Sequence, residues 1–286
     1  MTPRSLRLVP LLAAALLTAV PAAAPAAAQE APPSVAYAGV AFTLTPELGS
    51  SIAIVPVAAQ PPDAEVPSPQ PGHLSFAFSR VTREQARIPA TWGAPGTLSV
   101  YLTADLAGYD WPEQQLAALQ AILDARPDPS TLASGAPDAD PLPYIGGGDA
   151  AQLVRARVHY IDTPQLSGIA YVAAFGQDVY RMGASDFWYT FQGLTVDGSR
   201  YVQVSWVLTA PGFPRRSSFN EGDTRGNAYA RYLRSVVEKL GAGDPTAFSP
   251  TIGALDGLVE SITFADIPVR EPAPPSLPVP SASPAG

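Results

Sequence analysis

The chain has 286 residues, 47% of them hydrophobic, no cysteine and a formal net charge of −8. That length buries enough surface to hold a fold by core packing alone, and the missing cysteines exclude disulfides, thiolate metal sites and cysteine nucleophiles. An acidic chain with one lysine, Lys239, lacks the basic stripe that nucleic acid requires and has the wrong sign for anionic membrane surfaces.

The N-terminus reads as an export signal. Arg4 and Arg7 form a basic region, residues 8–20 an apolar run, and Ala26-Ala27-Ala28 a small-residue cleavage site before Gln29. The run is shorter than the roughly 20 residues of a bilayer span. A signal peptide over 1–28 is therefore expected, with a secreted or extracytoplasmic protein at the cell envelope and no transmembrane segment after cleavage. No cysteine stands at the cleavage site to carry a lipid, and the 258 remaining residues have a net charge near −10. Residues 29–34 read as a flexible arm and 35–268 as a single α+β domain. Residues 269–286, rich in proline, read as a disordered and partly polyproline II tail.

Strand signals dominate the domain. Segments 40–44 and 52–57 are short β-type runs on either side of a Pro46-Glu47-Leu48-Gly49 turn. Segments 74–78 and 97–102 alternate, with Leu98, Val100 and Leu102 on one face. Segments 155–161 and 169–175 flank a longer loop and read as a hairpin. Segments 188–196 and 201–208 flank Asp197-Gly198, the strongest hairpin signal in the chain, which as a type I′ turn needs positive φ at Gly198. In the second of these strands Val202, Val204, Trp206 and Leu208 share one face; Tyr201, Gln203 and Ser205 share the other, so the strand is predicted to be half-buried or lightly covered on its second side.

Helix signals are fewer. Asp110-Trp111-Pro112-Glu113 has the form of a capping box ahead of Leu116, Leu119 and Leu123, and Pro127 stops the run. Asp149-Ala150-Ala151-Gln152 predicts a second, short helix by the same logic. Tyr229, Tyr232, Val236 and Leu240 form a helical stripe with Gly241 as the residue that ends it. Ser249-Pro250 opens a last helix carrying Ile252, Leu255, Leu258 and Val259, followed by a strand at 262–264.

Chemical motifs are sparse. There is no Gly-x-Ser-x-Gly elbow, no Ser-x-x-Lys in the mature region and no His-Glu-x-x-His. The two histidines, His73 and His159, lie far apart in sequence. Gly146-Gly147-Gly148-Asp149 lacks the Lys-Ser/Thr ending of a phosphate loop, and the residues after Asp138 and Asp140 break the spacing of a calcium loop. Asp178, Asp186, Glu113 and Asp124 supply carboxylates that serve either as a solvated face or as the pair a glycosidase needs. Arg215-Arg216 reads as a loop tip or an anion contact. The aromatic group Phe187, Trp188, Tyr189, Phe191, Tyr201 and Trp206 reads as cross-strand core or as a ligand groove. The candidate ligand surface is accordingly Trp188, Tyr189, Tyr201, His159, Asp178, Arg215 and Arg216, with no catalytic set, no metal site and no cofactor.

The run Tyr189-Thr190-Phe191-Gln192-Gly193-Leu194-Thr195-Val196-Asp197-Gly198 resembles the central motif of a family of uncharacterised secreted bacterial proteins. Segments 115–123, 168–177 and 255–262 fit the same family, so the resemblance covers most of 35–264. It departs at 179–185, where the family has an Asn-rich stretch, and after Trp206, where it tends to Leu-Pro. The resemblance implies no activity. A looser similarity to the PsbP-like fold implies a curved antiparallel β-sheet with helices packed on its faces, a scaffold for binding. The function expected is an exported, non-catalytic binding or accessory module for an envelope or extracellular ligand or protein. The alternatives are a carboxylate-dependent hydrolase acting on polysaccharide and a structural surface component.

Overall fold

The computed structural model describes residues 34–62, 69–79, 94–136, 138–146 and 150–269. They form an α+β fold of two antiparallel sheets and four helices. The larger sheet contains β3 (Ser51–Val57), β4 (His73–Ser79), β5 (Gly96–Leu102), β6 (Ala151–Asp162), β7 (Leu166–Gly176), β8 (Phe187–Thr195) and β9 (Arg200–Leu208). Their order is β3-β4-β5-β9-β8-β7-β6, so the sheet stays open, with β3 and β6 as its edges. The smaller sheet runs β1 (Ser34–Tyr37), β2 (Val40–Thr43) and β10 (Thr263–Phe264). The two predicted N-terminal strands are thus β2 and β3, and they part company across the Pro46 turn into different sheets.

Each face of the large sheet is buried, by different means. On one face Phe76, Phe78, Leu98, Val154, Val172, Phe191, Val204 and Trp206 pack with the small sheet, α3 (Ala228–Ala242) and α4 (Ile252–Glu260). All four apolar residues predicted for the last helix are buried there. On the other face Tyr101, Ile169, Tyr171, Leu194 and Tyr201 pack with Leu119 of α1 (Asp110–Ala125) and with Leu142 and Ile145 of the following connection. Tyr201, Gln203 and Ser205 are consequently buried, not lightly covered as their mixed polarity predicts. Leu98 and Val100 are buried as expected, whereas Leu102, at the end of β5, is exposed. No helix among the described residues is long and apolar enough to cross a membrane.

Local chemistry corrects several expectations. Tyr109, not Asp110, is the N-cap of α1 and makes no side-chain cap bond. Glu113 still reaches back, its Oε1 accepting the Gly108 N–H at 3.0 Å, two residues before the Asp110 N–H that the predicted capping box would use. The helix ends at Arg126, whose left-handed φ of 46° closes it, and Pro127 bars continuation. The helix predicted from Asp149 does not form: β6 begins at Ala151, and Asp149 lies outside the described residues. A short helix, α2 (Pro129–Leu132), capped by Asp128, has no counterpart in the sequence reading. Gly241 lies inside α3, which is capped two residues later by Gly243. In the β8–β9 turn Gly198 has φ 72° and donates to the Thr195 carbonyl at 2.8 Å, but Asp197 does not have positive φ. The turn is therefore not type I′; Asp197 Oδ1 instead accepts from Thr195 Oγ1 and from Ser199, clamping a longer loop.

One irregularity in β6 has a clear cause. Arg157 has φ 54°, at the bulge where the register with β7 slips between Ala156 and His159. Its guanidinium donates to the carbonyls of Leu240 and Gly243 at 2.8 Å each. A cation thus satisfies the last carbonyls of α3 and complements the helix dipole.

Candidate functional site: a buried polar face of the large sheet

Strand register assembles groups that look unremarkable one by one. Across β4, β5, β9 and β8, Ser75 pairs with Ser99, Ser99 with Gln203, and Gln203 with Gln192. One row along, Thr97 pairs with Ser205, Ser205 with Thr190, and Thr190 with Tyr171 of β7. Period 2 sends all of these side chains to the face under α1. Two adjacent rows of the central strands are therefore hydroxyls and amides, and all but Thr97 are buried.

Hydrogen bonds satisfy most of this chemistry. Tyr201 donates its hydroxyl to Gln192 Oε1 at 2.7 Å, and Gln192 Nε2 donates to Thr190 Oγ1 at 2.7 Å. Ser99 reaches Ser75 at 3.5 Å and Ser205 reaches the Tyr144 hydroxyl at 3.4 Å, both long contacts. Among the described residues Gln203 Oε1, in a residue only 5% exposed, has no hydrogen-bond partner. An unmade hydrogen bond on a buried acceptor costs about 1–3 kcal/mol. The row has a gap at its centre.

The connection carrying Tyr144 is laid over this face by deliberate pins. Trp111 Nε1 donates to the Tyr144 carbonyl at 3.1 Å, and the Tyr144 N–H donates to Gln115 Oε1 at 2.9 Å, so α1 grips the residue from both sides. Gln152 clasps Leu142 through its N–H and its carbonyl, and the Tyr171 hydroxyl donates to the Pro143 carbonyl. Gly146 follows, where an added Cβ would come within 2.7 Å of Gln203 Nε2 and 2.8 Å of the Tyr144 ring. At the other end His73 stacks on Tyr101 with centroids 4.4 Å apart and planes 28° apart.

The face carries no charge along its two central rows. Burial lifts the Tyr101, Tyr144, Tyr171 and Tyr201 hydroxyls above their ordinary pKa, so they remain neutral donors. Burial also lowers His73, outweighing its contact with the Pro71 carbonyl, which favours the neutral ring. One row further along stands a cation, Arg155. It is buried and donates at 3.4 and 3.5 Å to the carbonyls of Gln152 and Ala136. Its backbone bridges to Ser134, which fixes the start of the same connection.

The residues singled out from sequence do not gather into one surface. Trp188 and Tyr201 belong to the polar face, the first half-buried and the second buried. Tyr189 and Tyr201 cannot form an open ligand surface, since both faces of their strands are covered; each is 1% exposed or less. Tyr189 points to the opposite face, where its hydroxyl donates to Asp256 Oδ1 of α4 at 2.8 Å. His159 meets the same oxygen through Nε2 at 3.1 Å, and its Nδ1 lies 2.9 Å from the Arg157 carbonyl. Asp178 is exposed between β7 and β8, and Arg215 and Arg216 are exposed after β9. Phe187, Tyr189, Phe191 and Trp206 are core. Sequence reasoning passed over Ser75, Ser99, Thr190, Gln192, Gln203, Ser205 and Tyr144. The available signal was alternation within each strand, but only register turns four alternations into a row.

The two histidines give stability two opposite pH slopes. Burial pulls the His159 pKa down, but the bonds to Asp256 and to the Arg157 carbonyl raise it above 6.5. The protonated ring therefore stabilises the fold below 6.5, and this contribution disappears as pH rises through the raised value. His73 has the reverse sign: its lowered pKa makes stability fall as pH drops below 6.5. Denaturation midpoints measured across this range should lose their alkaline decline in His159→Gln and their acid decline in His73→Gln. Parallel profiles for the two variants would contradict the assigned contacts.

The architecture so defined is an open antiparallel sheet with helices on both faces and a neutral hydrogen-bonding interior on one side. No family model matches the sequence, and no curated protein matches it.

Proposed function

We propose that the chain is an exported, non-catalytic binding or accessory module for an envelope or extracellular ligand or protein. The observation that carries the reading is the buried Gln203 Oε1, unpartnered among the described residues at the centre of an otherwise bonded neutral row. A fold retains such an acceptor at a stability cost, and a ligand that donates to it recovers that cost on binding. The disposition of the carboxylates favours binding over carboxylate-dependent hydrolysis. Asp162 is held bidentate by Arg126, Asp223 by Arg181 and Asp266 by Arg200, while Asp256 serves Tyr189 and His159. None of these pairs lies on the polar rows. The resemblance to secreted bacterial proteins and the Arg4 to Ala28 pattern support export; that segment and the proline-rich tail lie outside the described residues. The PsbP-like similarity enters this reading as an analogy of fold alone.

Two measurements test this reading. Intact-mass analysis of protein recovered from the medium or periplasm should give a chain beginning at Gln29; membrane-embedded protein of full length would refute export. A thermal-shift screen of small compounds should return stabilising ligands whose effect disappears in Gln203→Leu. Because that substitution removes an unsatisfied acceptor, it should leave the ligand-free melting temperature unchanged or raised. Ligands that stabilise the variant as well as the parent would place the binding surface elsewhere.

A further inference from the structure

The two edges of the large sheet are built differently. An open strand edge presents N–H and C=O groups ready to pair with another chain, and folds guard it with charge, bulges or a covering element. The β6 edge has all three. It carries Arg155, Arg157, His159 and Asp162, it bulges at Arg157, and Ser134 pairs with Arg155 along its outer side. The small sheet ends on strands of four and two residues, too short to recruit a partner. β3 has none of these devices. It runs for seven residues, and no described residue pairs with its outer side. In a chain of net charge −8, residues 48–62 contain no charged side chain. Pro56 is the one guard, and it stands near the C-terminal end of the strand.

We propose that this edge joins a second copy of the chain, β3 pairing antiparallel with β3 of the partner about a two-fold axis. A ladder centred on Ala53 leaves Pro56 outside it and sets Ile52 of each copy opposite Ile54 of the other. Within one copy Ile52 and Ile54 stand beside Phe78 and Phe76 of β4, so the seam extends an apolar face that is already core. Ile52 packs on that core, whereas Ile54 is 36% exposed and gains its missing neighbour from the second copy. On the other face Ser51, Ala53 and Val55 stand beside Ser79, Ala77 and Ser75, so neither face brings a charge to the seam. Charge selects the partner. Two acidic copies repel one another, and of the two edges of the large sheet only this one lets them meet without opposing charged side chains. The contact is isologous, so it consumes both β3 edges and stops at a dimer.

Sedimentation velocity of the mature chain, from nanomolar to high-micromolar concentration and at low and high salt, tests this. A monomer–dimer equilibrium is expected, and salt should tighten it by screening the repulsion between copies whose seam holds no ion pair. Ile54→Lys and Ile54→Glu should each weaken the dimer about tenfold or more while keeping the native circular dichroism. An equal mixture of the two should recover dimer at low salt, because the two residues 54 are diagonal neighbours roughly 7–8 Å apart in this register. Phe219→Lys, at an apolar residue 67% exposed in a loop, should dimerise as the parent does. Amide exchange reads the same seam without a substitution: residues 51–55 should gain protection as the parent is concentrated. If either charge variant unfolds, the exchange measurement decides alone. A parent that stays monomeric overturns the proposal, as does a dimer indifferent to both substitutions at Ile54 or a mixture that recovers nothing. Loss of dimer in Phe219→Lys as well would show unspecific apolar association, and growth beyond the dimer would show a contact that does not close on itself; either result also overturns it.

Discussion

Trp206→Ala should lower the unfolding free energy by about 3–5 kcal/mol, the range for deleting a large buried aromatic. The indole is 1% exposed and lies flat across β5, so close to Gly96 that an added Cβ there would sit 2.1 Å from the ring. Gly96 is its direct cross-strand partner, and Phe78 on β4 closes the other side at 4.8 Å between centroids. Removing the ring leaves a hole floored by a glycine and walled by a phenylalanine that the sheet holds in place, so little collapse is available to fill it. The measurement is the midpoint and slope of chemical denaturation, with the slope unchanged if the unfolded state is not altered. A midpoint equal to that of the parent would mean that the indole contributes no core packing and that the apolar face of β9 is misassigned.

The same strand shows what the sequence could and could not convey. Val202, Val204, Trp206 and Leu208 alternate cleanly, and the facing residues of β8 lie just across an Asp-Gly turn, so hairpin and inward face were both legible. The α4 stripe was legible for the same reason: Ile252, Leu255, Leu258 and Val259 have helical spacing within one local segment. The partner of β9 on its other side was not legible. It is β5, with α1 and three strands of the sheet intervening in sequence, and no local pattern encodes that choice. The polar rows share this limitation. Ser75, Ser99, Gln203 and Gln192 are ordinary strand residues, and their neighbourhood exists only once three pairings are set in register. The bulge at Arg157 was hidden because its cause lies in another element, the carbonyls at the end of α3. Where the sequence reading failed by a single residue, as at the Tyr109 cap, propensity placed the helix and backbone geometry chose its first residue.

The motif from Tyr189 to Gly198 separates into roles that a double-mutant cycle can verify. Tyr189 bonds α4, Thr190 and Gln192 face the polar rows, and Leu194 joins the core under α1. Phe191 is the least replaceable, because two glycines make room for its ring. A Cβ at Gly193 would come within 2.5 Å of the ring, and one at Gly168, its cross-strand partner, within 2.4 Å. Each glycine-to-alanine change should therefore cost about 1–3 kcal/mol by overpacking. The two differ in what else they meet. Beyond the Phe191 ring, the next atom a Cβ at Gly193 would meet is the Ser167 carbonyl at 3.2 Å, whereas one at Gly168 would already meet the Gln192 carbonyl at 2.5 Å. Shrinking the ring should consequently relieve one substitution and not the other. In a Phe191→Leu background, Gly193→Ala should cost clearly less than it does in the parent, giving a coupling energy of about 1 kcal/mol or more. Gly168→Ala should retain most of its cost there, because a backbone carbonyl cannot withdraw as a smaller side chain does. Denaturation of the parent, the three single variants and the two doubles measures both couplings. Equal relief at the two glycines would show that the Phe191 ring alone sets their size, and the absence of relief at Gly193 would show that the ring does not rest on it.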